Sequence, residues 1–313
     1  MRLGLTDSTY QHLFSGPFGF GDRISAYFDS KGFAAPCYLS TQTAILRAQS
    51  LEWLINRTAQ LGWQVAYGGP RVFDAKAYIA GFRALVEEKG LEVIAALGLD
   101  LISGGEATKA SIENAYRFLE GYKAFGDVRY CKLCVTPMTH NRFRNDPPLR
   151  QQLDLIVENI KPVVRAAEEA GIVFAFENYL DYRASEVVEI IEAVGSPNLK
   201  LLFDMGNTTV VIEDPVEAAI VAAPYTVLGH LKDVRILPWT PSALYVAAIF
   251  AAPLGSGNVD VVRICEILQE RAPNPSDLCL SLENVPVPPN EDHFLFVTEG
   301  IKWAKENLAK FLR

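Results

Sequence analysis

Short β-rich apolar runs alternate with longer segments of helical period along the chain, and the pair recurs eight times. The runs are RLGLTD (2–7), WQVAYG (63–68), LEVIAALG (91–98), YCKLCVT (130–136), IVFAFEN (172–178), LKLLFDM (199–205), TVLGHLK (226–232) and LCLSLEN (278–284). The helical segments between and after them are about 42–61, 75–89, 107–125, 149–170, 184–194, 214–222, 259–271 and 293–311. Strict βα alternation dictates a parallel sheet, because parallel neighbours need a crossover and a helix supplies it. Eight such units predict an α/β fold that closes into a (β/α)8 TIM barrel, with residues 1–313 as one domain. Local signals agree. Gly90 and Gly171 stand just past helices, and Asp214 followed by Pro215 reads as an N-cap with proline in the first helical turn.

The 313 residues are 50% hydrophobic and 21% charged, which is ample for such a core. The formal net charge is −8 and no basic block stands out, so nucleic-acid binding is disfavoured. No apolar run approaches the roughly 20 residues that span a bilayer. The start, MRLGLTDSTYQH, shows no signal-peptide core, and a cytoplasmic enzyme without membrane contact is expected. Five cysteines fit a reducing compartment. Cys131 and Cys134 form a C-x-x-C inside a strand, where positions three apart face opposite sides, so they read as buried, unreactive thiols.

Two connections exceed ordinary loop length, one after the first strand and one after the seventh. Residues 8–41 carry Phe14, Phe18, Phe20, Tyr27, Phe28, Phe33 and Tyr38, and residues 236–257 contain PWTPSALYVAAIFAAP. Both are too aromatic for disorder and follow strands, on the face where such barrels place their chemistry. They are expected to form a lid or substrate wall, or an oligomer contact.

Four apolar runs end on a polar group: Glu177, Asp204, His230 and Glu283. A buried carboxylate is costly unless paired, hydrogen-bonded or bound to a metal. These four residues fall at the C-terminal ends of the last four strands, and neighbouring strands lie only about 4.8 Å apart. The side chains are expected to converge, and three carboxylates at one point call for a cation. Three oxygens and one imidazole suit one fairly hard divalent ion, Mn²⁺ first, with Mg²⁺ or Co²⁺ as alternatives. His140, just after the fourth strand, is a candidate general base. Lys232 shares the strand face of His230 and is a candidate substrate contact, as is Arg142; Arg144 and Glu106 are weaker candidates. His12 and His293 read as unrelated to the metal.

The stretches FAFEN, LLFDMGN, GHLKDVR and LSLENV, with APLGSGNVD, resemble the sugar phosphate isomerase/epimerase superfamily, the xylose isomerase-like TIM barrels. The resemblance covers residues 60–313, and before that only RLGLTDS. It implies that Glu177, Asp204, His230 and Glu283 bind one divalent metal. It also implies that Glu177 and Glu283 exchange protons with opposite faces of a substrate carbon. The ketose epimerases carry a histidine where this chain has Asn207, so the substrate contact there differs. Arg235 is the nearest match to their arginine.

The expected activity is a metal-dependent isomerase or epimerase that removes a proton next to a carbonyl of a keto-sugar or sugar derivative. The alternative is a lyase with the same first step, either a dehydratase or the catalytic subunit of a C-glycoside deglycosidase. Expected partners are a small sugar or glycoside substrate and a homo-oligomer or a smaller subunit. A non-catalytic scaffold is a weaker reading. Endonuclease IV shares the barrel but needs several metals and many histidines, and this chain has four histidines.

Overall fold

A computed structural model describes residues 1–6, 52–67, 76–126, 128–135, 140–238, 247–285, 287–288 and 291–312. Eight parallel strands close the expected barrel: β1 (Arg2–Thr6), β2 (Val65–Tyr67), β3 (Glu92–Gly98), β4 (Tyr130–Cys134), β5 (Val173–Glu177), β6 (Leu199–Asp204), β7 (Thr226–Leu231) and β10 (Cys279–Leu282). Around the barrel the order is β1, β10, β7, β6, β5, β4, β3, β2. The helices described are α1 (52–60), α2 (Lys76–Lys89), α3 (Gly105–Phe125), α4 (Leu149–Glu169), α5 (Ala184–Val194), α6 (Pro215–Ala222), α7 (Val261–Arg271) and α8 (His293–Asn307). Among the described residues, no helix is long and apolar enough to cross a membrane.

The local signals act as read. The Asp214 carboxylate accepts the backbone N–H groups of Val216 and Glu217, with Pro215 at the first helical position. Asp260 and Asp292 cap α7 and α8 in the same way, through the amides of Arg263 and Leu295.

The period of two along each strand sorts its side chains into two cores. The larger one lies between strands and helices and includes Leu133, Phe174, Phe176, Leu201 and Phe203. The smaller one is a layer with one residue from each of seven strands: Val65, Ile94, Tyr130, Ala175, Leu202, Leu228 and Cys279. Two residues beyond that inner layer, β4, β5, β6, β7 and β10 carry the polar side chains Lys132, Glu177, Asp204, His230 and Ser281, and that step builds the site.

The connection after β7 is no plain loop. Strand β8 (Asp233–Pro238) begins two residues beyond Leu231 and pairs antiparallel with β9 (Ala247–Ala252), Asp233 opposite Ala252 and Pro238 opposite Ala247. The tip of this arm, 239–246, and the 8–41 segment with His12 lie outside the described residues.

Candidate metal centre

Strand parity positions the quartet. Ala175, Leu202 and Leu228 belong to the inner layer, and Glu177, Asp204 and His230 each lie two residues further along the same strands. Asp204 stands in register with His230, and the backbone N–H of Glu283, one residue past β10, donates to the Leu231 carbonyl at 3.1 Å. Glu177, Asp204 and His230 are fully buried and Glu283 is 5% exposed.

One ligand atom from each of the four lies within 4.8 Å of the others. His230 Nδ1 is 3.2 Å from Glu177 Oε1, 3.3 Å from Asp204 Oδ2 and 3.4 Å from Glu283 Oε2. A small divalent cation with ligands at about 2.1 Å spaces adjacent ligand atoms by about 3 Å, so these donors fit one ion. The donor set, three carboxylates and one imidazole, is also right for a hard or borderline metal.

Neighbouring groups orient the acids. The backbone N–H groups of Gly206 and Asn207 both donate to Asp204 Oδ1 at 2.9 Å, which leaves Oδ2 facing the imidazole. Asn178 clamps β5 to β6: its Oδ1 accepts Asp204 N–H at 2.7 Å and its Nδ2 donates to the Asp204 carbonyl at 3.0 Å. Asn207 Nδ2 donates to Glu177 Oε1 at 3.4 Å.

Two ammonium groups complete the cluster. Lys232 Nζ reaches Asn207 Oδ1 at 3.0 Å, Glu283 Oε2 at 3.1 Å and Asp204 Oδ2 at 3.5 Å. Lys132 Nζ is 2.6 Å from Glu177 Oε2, and the Cys134 thiol donates to that same oxygen at 3.1 Å. Among the protein groups themselves, burial opposes the charged form of Glu177, but Lys132 and His230 overcome it and pull its carboxyl down to about 2. Glu283 behaves alike: burial works against it, yet Lys232 and His230 hold it well below the usual carboxylate range. At Asp204 burial wins over Lys232 and His230 and raises the carboxyl. Burial lowers His230, but the three acids outweigh it and leave the imidazole well above its ordinary value.

Lys132 and Cys134 escaped the sequence reading, which weighed YCKLCV for its cysteines. A lysine inside an apolar barrel strand was the available signal. Cys131 lies in the outer core, and burial pushes its thiol up strongly, as expected of an inert cysteine.

The other candidates are placed as follows. Lys232 and Asn207 touch the quartet, as described. The Arg142 guanidinium pairs with Glu186, whose other oxygen accepts the Arg183 N–H at 2.8 Å at the start of α5. Arg235 lies in β8 opposite Phe250, half-buried. His140 is half-buried and outside the metal-capable group of described residues. Arg144 and Glu106 are exposed, and His293 opens α8.

Asp233 fixes the Gly-rich turn beside the mouth. Its carboxylate accepts the backbone N–H groups of Val234, Gly255, Gly257 and Val259 at 2.8–3.0 Å. A Cβ on Gly257 would sit 2.1 Å from Asp233 Oδ1, and one on Gly255, at φ +80°, 2.0 Å from Trp303 Nε1. Both glycines of PLGSGNVD are therefore sterically required.

Comparison with known proteins agrees with the barrel. Over 94 residues, 30% of this chain and 29% of the relative, the sequence is 30% identical to the uncharacterized protein YihM of Escherichia coli (strain K12). Over 175 residues, 54% of this chain and 58% of the relative, it is 29% identical to 3-oxo-isoapionate decarboxylase of Pectobacterium atrosepticum. The chain thus matches less than two thirds of either relative's length. The fold superposes on D-psicose 3-epimerase of Clostridium cellulolyticum H10 with a TM-score of 0.70 at 15% identity, covering 100% of both chains. The profile of the xylose isomerase-like TIM barrel family matches residues 56–308, and the chain belongs to that family.

Proposed function

We propose that the chain is a divalent-metal-dependent enzyme that removes a proton next to the carbonyl of a keto-sugar or sugar derivative, with isomerisation or epimerisation as the outcome. The observation that carries this reading is the convergence of Glu177, Asp204, His230 and Glu283 within 4.8 Å at the ends of four adjacent strands. A divalent ion held by these four side chains, Mn²⁺ first and Mg²⁺ or Co²⁺ as alternatives, supplies Lewis-acid stabilisation of the charge that develops on substrate oxygens. The protein's own groups do the rest. Around the barrel the strands run β10, β7, β6, β5, so Glu283 and Glu177 stand at the two ends of the arc. A substrate seated between them meets one carboxylate on each side, the arrangement that two-sided proton transfer needs. Lys132 and Cys134 hold Glu177, while Asn207 and Lys232 hold Asp204 and Glu283 in place for that substrate.

A second reading, a lyase that shares the first step, is favoured by one specific observation. Each glutamate is paired with a lysine, at 2.6 Å and 3.1 Å, so a proton donor for a leaving group stands beside each candidate base, which elimination needs and epimerisation does not. The similarity to a decarboxylase points to the same kind of intermediate, since loss of CO₂ and loss of a proton next to a carbonyl both leave an enolate. The test is a metal-supplemented panel of keto-sugars and 3-keto-glycosides in D₂O, followed by NMR. Isomerase or epimerase action introduces solvent deuterium next to the carbonyl and yields an isomer. Lyase action yields a shortened or dehydrated product. No exchange and no product with any metal would refute both.

A further inference from the structure

We propose that the natural substrate of this centre carries a carboxylate, a keto-sugar acid rather than a neutral ketose, and that Lys232 is the group that receives it. The inference rests on the proton-abstraction reading and adds the substrate's charge.

Charge is the first consideration. The contiguous cluster holds three carboxylates and two ammonium groups. With a divalent ion bound and a neutral His230 as ligand, these five ion-paired groups leave one positive charge, and the buried Asp181 acts from the Cys134 side of Glu177. The cluster is buried at the barrel mouth, where an uncompensated charge is costly. A monoanionic substrate neutralises it, whereas a neutral ketose does not.

The second consideration is which lysine is left without its acids. Glu177 turns Oε1 to His230 and Oε2 to Lys132, so a ligated Glu177 keeps its lysine. Lys232 differs. It pairs with Asp204 Oδ2 and Glu283 Oε2, the same two oxygens that face His230 Nδ1 and therefore the ion. A metal at those oxygens weakens both of its ion pairs.

Third, Lys232 has nowhere else to go. Its side chain is 8% exposed. Its stem lies on Gly206, where a Cβ would come within 2.8 Å of Lys232 Cγ. Its remaining partner is the neutral Asn207 Oδ1 at 3.0 Å. A buried ammonium held beside the metal with one neutral acceptor is a receptor for an anion. A carboxylate fits better than a phosphate ester, which is close to a dianion and favours arginine forks. In this cluster the described residues offer no arginine, since Arg142 is paired with Glu186.

The test uses the whole 313-residue chain loaded with Mn²⁺. Affinities are measured by calorimetry for 2-keto-D-gluconate and D-fructuronate, which carry the carboxylate at opposite ends, and for D-fructose, their neutral counterpart. At least one keto acid is expected to bind about tenfold or more tightly than D-fructose, the effect of one charge-assisted bond. Lys232→Met should abolish that preference while Mn²⁺ binds as tightly or more tightly, because a competing cation is gone. Lys232→Arg should keep part of the preference. Should Lys232→Met fail to fold by circular dichroism, Lys232→Gln carries the same test, and the wild-type comparison needs no variant. Keto acids that bind no better than D-fructose, or a preference that survives loss of the ammonium, would overturn the proposal. Deuterium exchange separates this from the reaction itself. Exchange on neutral keto-sugars without acid preference overturns the carboxylate assignment alone. Acid preference without exchange or product on any compound overturns the proton-abstraction reading alone.

Discussion

Lys132→Met isolates what the lysine does for Glu177. The pair is 2.6 Å apart, with the glutamate fully buried and the lysine side chain 16% exposed. At an effective dielectric near 20, two unit charges at that separation attract by about 6 kcal/mol. Dehydrating the lysine offsets roughly half, so removing it from the metal-free protein should destabilise the fold by about 3 kcal/mol, the usual outcome of stranding a buried charge. The Cys134 thiol and the Asn207 amide remain on Glu177 and limit the loss. With saturating Mn²⁺ the ion itself compensates the carboxylate, and the loss should shrink to about 1 kcal/mol. The difference of about 2 kcal/mol must reappear as metal affinity, because folding and binding form one thermodynamic cycle. The variant should therefore bind Mn²⁺ about thirtyfold more tightly. The assay is denaturant unfolding of wild type and variant in EDTA and in excess Mn²⁺, together with direct titration of the metal. An equal loss of stability in both conditions, with unchanged Mn²⁺ affinity, would show that Lys132 is not electrostatically coupled to the ligand set.

Three further outcomes are expected. Asp204→Asn should abolish stoichiometric metal binding and activity but leave the circular dichroism spectrum unchanged, because the introduced carboxamide oxygen can still accept the Gly206 and Asn207 amides; full metal occupancy in this variant would defeat the four-ligand assignment. EDTA should inactivate the enzyme, and Mn²⁺ or Co²⁺ should restore turnover better than Ca²⁺, which prefers six to eight oxygens at longer distances; turnover that survives exhaustive chelation would remove the mechanism. Gly257→Ala places a methyl group 2.1 Å from Asp233 Oδ1 and 2.5 Å from the Val234 carbonyl, and should lower stability by about 2 kcal/mol and loosen the β8–β9 arm in hydrogen exchange while metal affinity holds.

The barrel and its quartet were legible because both rest on short-range periodicity. Alternation of strand and helix leaves one economical closure, and the period of two says that the residue two beyond an inward Ala175, Leu202 or Leu228 also faces inward. Polar residues at those positions on adjacent strands must then meet. What stayed hidden depends on stagger and on distant partners. Lys132 stands in register with Ala175, a full pleat below Glu177, and reaches the carboxylate only because its side chain is long enough to climb that step. Strand pairing sets that offset, and strand propensity does not encode it. Arg142 looked available because its partner Glu186 lies 44 residues away, in helix α5. The arm after β7 read as a loop because PWTPSALYVAAIFAAP mixes prolines with alanines of weak strand preference. Its pairing is anchored at the base of the arm, by an Asp233 carboxylate that gathers four backbone amides across 26 residues. The same anchor follows Lys232 directly in sequence, so Lys232, one residue past β7, and the residue that launches the arm are locked as one unit. The placement of Lys232 is therefore constrained from both sides, by Gly206 beneath its stem and by Asp233 behind its backbone. An ammonium fixed in this way suits the proposed role of Lys232, to meet a substrate at a set distance from the metal.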